Sequence, residues 1–344
     1  MDVDGETIRA EVIIVATGSR PVVPAEWDVP PERVWTTDDV FEQERLPDSM
    51  AVVGTGAIGL ELGQGLARLG VDVHVFGRST RLAGLSDGVV NEALAESLGE
   101  ELPLHTGGSV RVREGERGVR VSTPHVAIDT EVVLAAAGRK PVLAELNPEA
   151  LGVELDDRGM PAFDPESLRV GGSCVYLVGD VNGRAPLMHE AADEGRLAAY
   201  RALAPNPTCL ARRTPMAIVF TEPGVARVGQ PYAALPEDAL VGTEDFRKPG
   251  RAILMDEAEG VLRVYADAEG VLIGAEMAVP HAEHLAHQVA WLIQERVDVE
   301  QALSLPYYHP VLEEGLRGAL QDLRRQLPSR PPRPDLPLCG ERMV

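Results

Sequence analysis

In the segment PYYHPVLEEG, residues 306–315, a histidine and a carboxylate stand five residues apart. His309 could move a proton near neutral pH, and Glu314 could fix its tautomer and stabilise the imidazolium. Pro310 suits the first turn of a helix, so the expected geometry puts His309 just outside that helix and Glu314 one turn along it. No nucleophile and no metal ligand stands beside the pair. A second chemistry-bearing stretch is Gly54-Thr55-Gly56-Ala57-Ile58-Gly59, which fits GxGxxG. A third is VYLVGDV, where Asp180 follows Gly179 at the end of an apolar run.

The elements around the glycine motif decide what it can do. MAVVGTGAIGLELGQGLARLGVDVHVF reads as strand, turn, helix and strand, a βαβ unit. In that setting Gly54 makes the tight turn and Gly56 lets backbone approach a pyrophosphate. Gly59 lets the helix lie close to the strand, and the helix N-terminus faces the phosphates. A carboxylate at the tip of the second strand would hold a ribose 2′-hydroxyl, but here the tip reads Gly77-Arg78-Ser79. Arg78, with help from Ser79 or Arg81, suits a 2′-phosphate and tips the balance slightly from NAD(H) toward NADP(H).

The rest of the chain is read more coarsely. Val12 to Ala16 forms an apolar run expected to be a buried strand. Residues 25–49 are polar and Pro-bearing and read as a connector. The segment PLMHEAADEGRLAAYRAL reads as a helix, and residues 212–327 as an α+β region of strands and helices. The tail PSRPPRPDLPLCGERMV has the composition of a disordered segment. His281, His284 and His287 sit three residues apart. At about 100° per residue they spread around a helix, so no metal site is expected from them.

Composition excludes some partners. A net charge of −22 over 344 residues argues against general affinity for nucleic acid or anionic membranes. No apolar run approaches the roughly 18 residues of a membrane span, and the N-terminus lacks a secretory pattern. Three cysteines, Cys174, Cys209 and Cys339, fit no metal site or CxxC pair and suit a reducing cytoplasm, the expected location.

Taken in order, VATGSRP, GTGAIGLELG, AAAGRKP, VYLVGDV with PLMHEAADEG, VFTEPGVARVG and HPVLEE resemble the FAD-dependent pyridine-nucleotide–disulfide oxidoreductases. The resemblance is greatest to dihydrolipoyl dehydrogenases and runs from about residue 10 to 327. It implies a doubly wound, Rossmann-like α/β NAD(P) domain (residues 50–138) inserted in an FAD domain (1–24 and 139–211), with a C-terminal α+β dimerisation domain (212–327) and a tail (328–344). It implies FAD and NAD(P) as cofactors and a homodimer acting on a small thiol or disulfide, or on a lipoyl domain.

The resemblance also assigns residues. Asp180, beside Gly179, would hold the flavin ribityl hydroxyls, and Met188 and His189 would lie near the flavin ring. The family more often has Ala where Met188 stands. Glu61 would lie near the nicotinamide. Gly18 belongs to the ATG segment, and Gly138 and Arg139 to the loop bordering the cofactor. His309, oriented by Glu314, would serve as base toward a thiol at the redox disulfide of the other subunit.

Two of the family's elements are missing from these residues: a GxGxxG before Gly54 for the FAD pyrophosphate, and a CxxxxC pair. The chain therefore reads as lacking an N-terminal FAD and redox-cysteine segment, binding FAD poorly and unable to exchange dithiols alone. The alternatives are a non-catalytic NAD(P)-binding dimer, or an NADP-linked relative of the glutathione-reductase or transhydrogenase type.

Overall fold

Four successive apolar residues, Met50, Ala51, Val52 and Val53, form the body of the strand Ser49–Val53, and all four are buried. The strand has a parallel neighbour on each side, Val132–Ala135 and Asp72–Phe76. A strand covered on both faces has no solvent side to be polar, hence the unbroken apolar run. Val34–Trp35 and Leu104–His105 extend the sheet to five parallel strands. The structure is a computed structural model and describes residues 2–204, 206–327 and 335–336.

The chain divides into two compact units, residues 1–22 with 138–211, and residues 23–137 with 212–344. In the larger unit the helices Ala57–Arg68 and Gly88–Glu101 pack Leu60, Leu66, Leu94 and Leu98 against the parallel sheet. Val219, Val225 and Ala278 join that same core from the C-terminal region. That region is an antiparallel sheet in the order Met216–Val219, Gly224–Gly229, Leu272–Val279, Val261–Ala266, Leu240–Asp245. Helices Ala282–Gln294 and Glu314–Arg324 bury Leu285, Val289, Leu316 and Leu320 in its core.

The polar stretch 25–49 is more than a connector. It supplies the edge strand Val34–Trp35 and a short helix, Thr37–Val40, closed by a capping box between Thr36 and Asp39. A two-residue strand is too short to leave a periodic signal.

In the smaller unit, Ile13–Val15 pairs in parallel with Val175–Leu177, and Ser19–Pro21 pairs antiparallel with Arg139–Pro141. The expected burial of Val12 to Ala16 is not observed. Ile14 is 42% exposed, because its strand has one paired neighbour among the described residues. Leu168, Tyr176, Leu197 and Ala198 pack the helix Met188–Leu203 onto this unit.

Most of the tail expected to be disordered, 328–334 and 337–344, lies outside the described residues. Asp335 accepts hydrogen bonds from Arg317 and Gln321 and pairs with Arg324. Among the described residues no helix is long and apolar enough to cross a membrane.

Candidate active site

At the end of Ser49–Val53 the backbone turns through Gly54 (φ +138°) into the helix Ala57–Arg68, with Gly56 at its N-cap. A Cβ on Gly54 would strike the Ala136 carbonyl, and one on Gly59 would strike the Gly54 carbonyl. Both positions are closed to side chains by neighbouring backbone. A Cβ on Gly56 would meet nothing within 4 Å. The open side of the turn therefore lies at Gly56, over the first turn of a helix with no side-chain cap and no acidic residue there. Uncapped N–H groups and the helix dipole make this an anion site, and the residues present fit a dinucleotide pyrophosphate.

The second strand ends at Phe76, and Gly77 and then Arg78 follow, Arg78 exposed and with no ion pair among the described residues. The Arg81 N–H donates to Ser79 Oγ at 3.0 Å, and Thr55 Oγ1 donates to the Arg81 carbonyl at 3.0 Å. These bonds tie the loop after the strand tip to the glycine turn. Glu61, expected near the nicotinamide, accepts the Phe220 N–H on Oε1 at 2.8 Å. One of its oxygens is thus anchored to the C-terminal region.

In the smaller unit, Asp180 lies in the turn Gly179–Asn182 directly after the strand Val175–Leu177. Its Oδ2 accepts the Ser19 hydroxyl at 2.7 Å, and Ser19 Oγ accepts from Arg139 Nε at 2.8 Å. A carboxylate held through one bond keeps acceptor capacity for the hydroxyls of a polyol. Gly138 joins this unit: its carbonyl accepts from Val22 N at 3.0 Å, and the Gly18 carbonyl accepts from Val142 N at 3.0 Å. Met188 opens the helix Met188–Leu203 and is 90% exposed, with His189 exposed beside it. Asp180 fits the hydroxyls of a polyol chain. The sequence holds no second glycine motif for that ligand's pyrophosphate.

His309 and Glu314 meet as the sequence suggests, although the helix is placed differently. Nδ1 of His309 lies 2.9 and 3.0 Å from the two Glu314 carboxylate oxygens. The helix starts at Glu314, not at Pro310. Residues 310–313 form a turn instead, in which Glu314 N bonds to the Val311 carbonyl and Gly315 N to that of Leu312, each three residues back. The His309–Pro310 peptide is cis. The His309 hydrogen bond, against desolvation and with help from the Val311 N–H, holds the Glu314 carboxyl below the usual carboxylate range. With Nδ1 occupied and the imidazole 79% exposed, Nε2 is the nitrogen left to meet another molecule.

Comparison with known proteins settles the family. Residues 1–195 match the model described as pyridine nucleotide-disulphide oxidoreductase, and residues 215–320 match that family's dimerisation domain. The chain belongs to the pyridine nucleotide-disulphide oxidoreductases. These are flavin-dependent enzymes that use NAD(P). Among its relatives, dihydrolipoyl dehydrogenase of Haloferax volcanii is 35% identical over 330 residues, covering 92% of this chain and 69% of the relative. The dihydrolipoyl dehydrogenase of Halobacterium salinarum is 33% identical, covering 92% and 69%. The crystal structure of LpdA from Mycobacterium tuberculosis superposes with a TM-score of 0.80 at 27% identity, covering 93% of this chain and 70% of that one.

One cluster in this oxidoreductase escaped the sequence reading. Glu276, fully buried, accepts from Ser86 N and Oγ, Asp87 N and Tyr232 N. Asp87, also buried, accepts from Arg263 Nη1 at 2.7 Å and Tyr265 Oη at 2.9 Å. Burial, then the charges of Asp87 and Glu276, push the Tyr265 phenol far up, so it stays a donor. The cluster fastens the start of the helix Gly88–Glu101 to the antiparallel sheet. A charge inside LIGAEMAV was its one visible signal.

Proposed function

We propose that the chain acts as an NAD(P)- and flavin-linked oxidoreductase of the dihydrolipoyl dehydrogenase type, with NADP(H) favoured and a thiol or disulfide as the second substrate. The observation that carries the thiol chemistry is the His309 imidazole, clamped at Nδ1 by both Glu314 oxygens with its other nitrogen outward. When bound, nicotinamide and flavin supply the hydride exchange. The N–H groups at the start of Ala57–Arg68 hold the dinucleotide pyrophosphate, and Arg78 pairs with the 2′-phosphate. Asp180 accepts the hydroxyls of the flavin's side chain, and Met188 and His189 border its ring. Toward a thiol and a disulfide partner supplied from outside these residues, His309 Nε2 would accept the thiol proton, leaving the thiolate free to attack the disulfide, and ionised Glu314 would stabilise the resulting imidazolium.

Residues 50–138 act as the NAD(P) domain, 1–24 with 139–211 as flavin-binding segments, and 212–327 as the dimerisation domain. In that last segment Leu254, Trp291 and Tyr308 are 72%, 64% and 80% exposed, large apolar side chains that a second copy would cover. The thiol pair served by His309 is not found among Cys174, Cys209 and Cys339, whose spacing fits no CxxxxC.

The experiment is dye reduction by the purified, FAD-supplemented chain with NADPH or NADH as donor. The proposal expects turnover with both and a preference for NADPH, unchanged in His309→Ala because no thiol proton is involved. Tight NADPH binding with no flavin uptake and no dye reduction would sink the enzyme reading and leave a nucleotide-binding dimer.

A further inference from the structure

Three side chains at the start of the helix Ala282–Gln294 bring donor atoms together. Glu283 Oε1 lies 3.7 Å from His281 Nδ1 and 3.7 Å from His284 Nε2. One donor atom from each residue lies within 4.8 Å of those of the other two. The separations are too long for hydrogen bonds. They approach the spacing of ligands on one ion: bonds of about 2.0–2.1 Å at a tetrahedral angle put neighbouring donors about 3.4 Å apart.

The far side of the His281 ring strengthens the reading. Its Nε2 faces Glu257 Oε2 at 3.5 Å. A histidine that ligates through one nitrogen commonly gives the other N–H to a carboxylate, which fixes the ring and raises its basicity. Glu257 lies beyond the end of the helix Gly250–Met255, so the arrangement is tertiary and not a by-product of helical spacing. His287 is absent from the set, because its Nδ1 faces the Glu283 carbonyl at 2.6 Å and its ring packs edge-on against Trp291. The helical-wheel objection to a metal site also falls away. His281 stands at the N-cap in the left-handed region (φ +52°), outside the helix, so its side chain does not follow the wheel.

The surroundings suit a cation. A cavity of about 430 Å³ beside His281 is lined by Glu222, Asp256, Glu257, Glu259 and Glu283. Arg68, which also lines it, is already paired with Glu101 and Glu222. A second cavity, of about 470 Å³, is lined by both His281 and His284 and by Tyr308 and Pro310, the neighbours of His309.

We propose that His281, Glu283 and His284 form a site for a divalent late first-row cation, with Zn²⁺ as the type ion and a coordination position left open. Two imidazoles and a carboxylate are the donor set such ions accept. A cation there links the start of the helix to the Glu257 loop and borders the cavity walled by Tyr308 and Pro310. The site is independent of the nucleotide and thiol chemistry proposed above.

The test is calorimetric titration of the chelator-treated full chain with ZnCl₂, its cysteines alkylated to remove thiolate ligands. One equivalent should bind per chain. Affinity should fall at least tenfold in Glu283→Gln and in His284→Ala, and in His281→Asn, which keeps a residue tolerant of the left-handed backbone. His287→Ala and His309→Ala should bind as the parent does. All of these side chains lie at least partly on the surface, and a thermal melt of each variant checks the fold. No saturable binding overturns the proposal. So does binding that survives Glu283→Gln and His284→Ala together, or that is lost equally in His287→Ala; either result means adventitious capture by an acidic surface.

Discussion

Replacing Gly56 by alanine separates folding from coenzyme binding. Gly56 has φ −79° and ψ −177°, open to any L-residue, and its added Cβ meets nothing within 4 Å. Alanine there restricts the unfolded chain but is a poorer N-cap than glycine, two effects of opposite sign and less than about 1 kcal/mol each. The melting temperature should therefore stay close to that of the parent. The methyl group, however, projects where the pyrophosphate must approach the backbone. Loss of one charge-assisted hydrogen bond costs about 1.5–3 kcal/mol, or roughly 10- to 150-fold in affinity. Calorimetric titration with NADPH and NADH, beside a thermal melt, reads both quantities. Gly59→Ala is the contrast: its Cβ runs into the Gly54 carbonyl and lies 3.3 Å from Ala136 Cβ, so stability and binding should fall together. If Gly56→Ala binds NADPH as well as the parent does, the dinucleotide does not cross this turn and the reasoning fails.

Other outcomes follow from the same geometry. Arg78→Glu should weaken NADPH by about tenfold or more and leave NADH little changed, since only the former carries the 2′-phosphate; NADPH and NADH affinities both unchanged from the parent would remove Arg78 from the site. Glu314→Gln removes the anionic acceptor from His309 Nδ1 and should move the imidazole nitrogen resonances at constant pH while leaving dye reduction unchanged; unmoved resonances would mean that the pair is not formed. Because the folded Glu314 carboxyl lies below its unfolded value of ~4.3, the stabilisation it gives is complete above that value. It is lost only as pH falls through the lowered one. The carboxyl carbon shift of Glu314 should accordingly show it still largely ionised at pH ~4.3 and protonated only as pH falls through the lowered value. Glu276→Gln sets an amide N–H₂ among buried donors and should destabilise the larger unit by about 3 kcal/mol or more, seen as a melt lowered by several degrees.

Local features of this chain were legible and long-range ones were not. The glycine turn announced itself because strand, turn and helix are contiguous and the Gly54 carbonyl closes Gly59 from a few residues away, whereas Gly54 itself is closed by Ala136, just after the distant strand Val132–Ala135. The His309–Glu314 pair was legible for the same reason, although the start of its helix was not. Proline spacing suggested Pro310, and the turn's own hydrogen bonds chose Glu314. The edge strand Val34–Trp35 exists only through pairing with Val133 and Leu134, about a hundred residues away. The buried cluster joins Asp87 to Glu276, 189 residues apart, which no window of sequence can show. The sequence pattern put His281 on the helix with His284 and His287, whereas it stands in a left-handed conformation at the N-cap.

Reduction of bound flavin by NADPH tests the proposed function most directly. Rapid anaerobic mixing of the FAD-supplemented chain with NADPH, followed by flavin absorbance, measures that step alone. The account predicts bleaching whose rate saturates with NADPH and whose half-saturation rises in Gly56→Ala. Flavin that is bound yet keeps its full absorbance at saturating NADPH and NADH would contradict it.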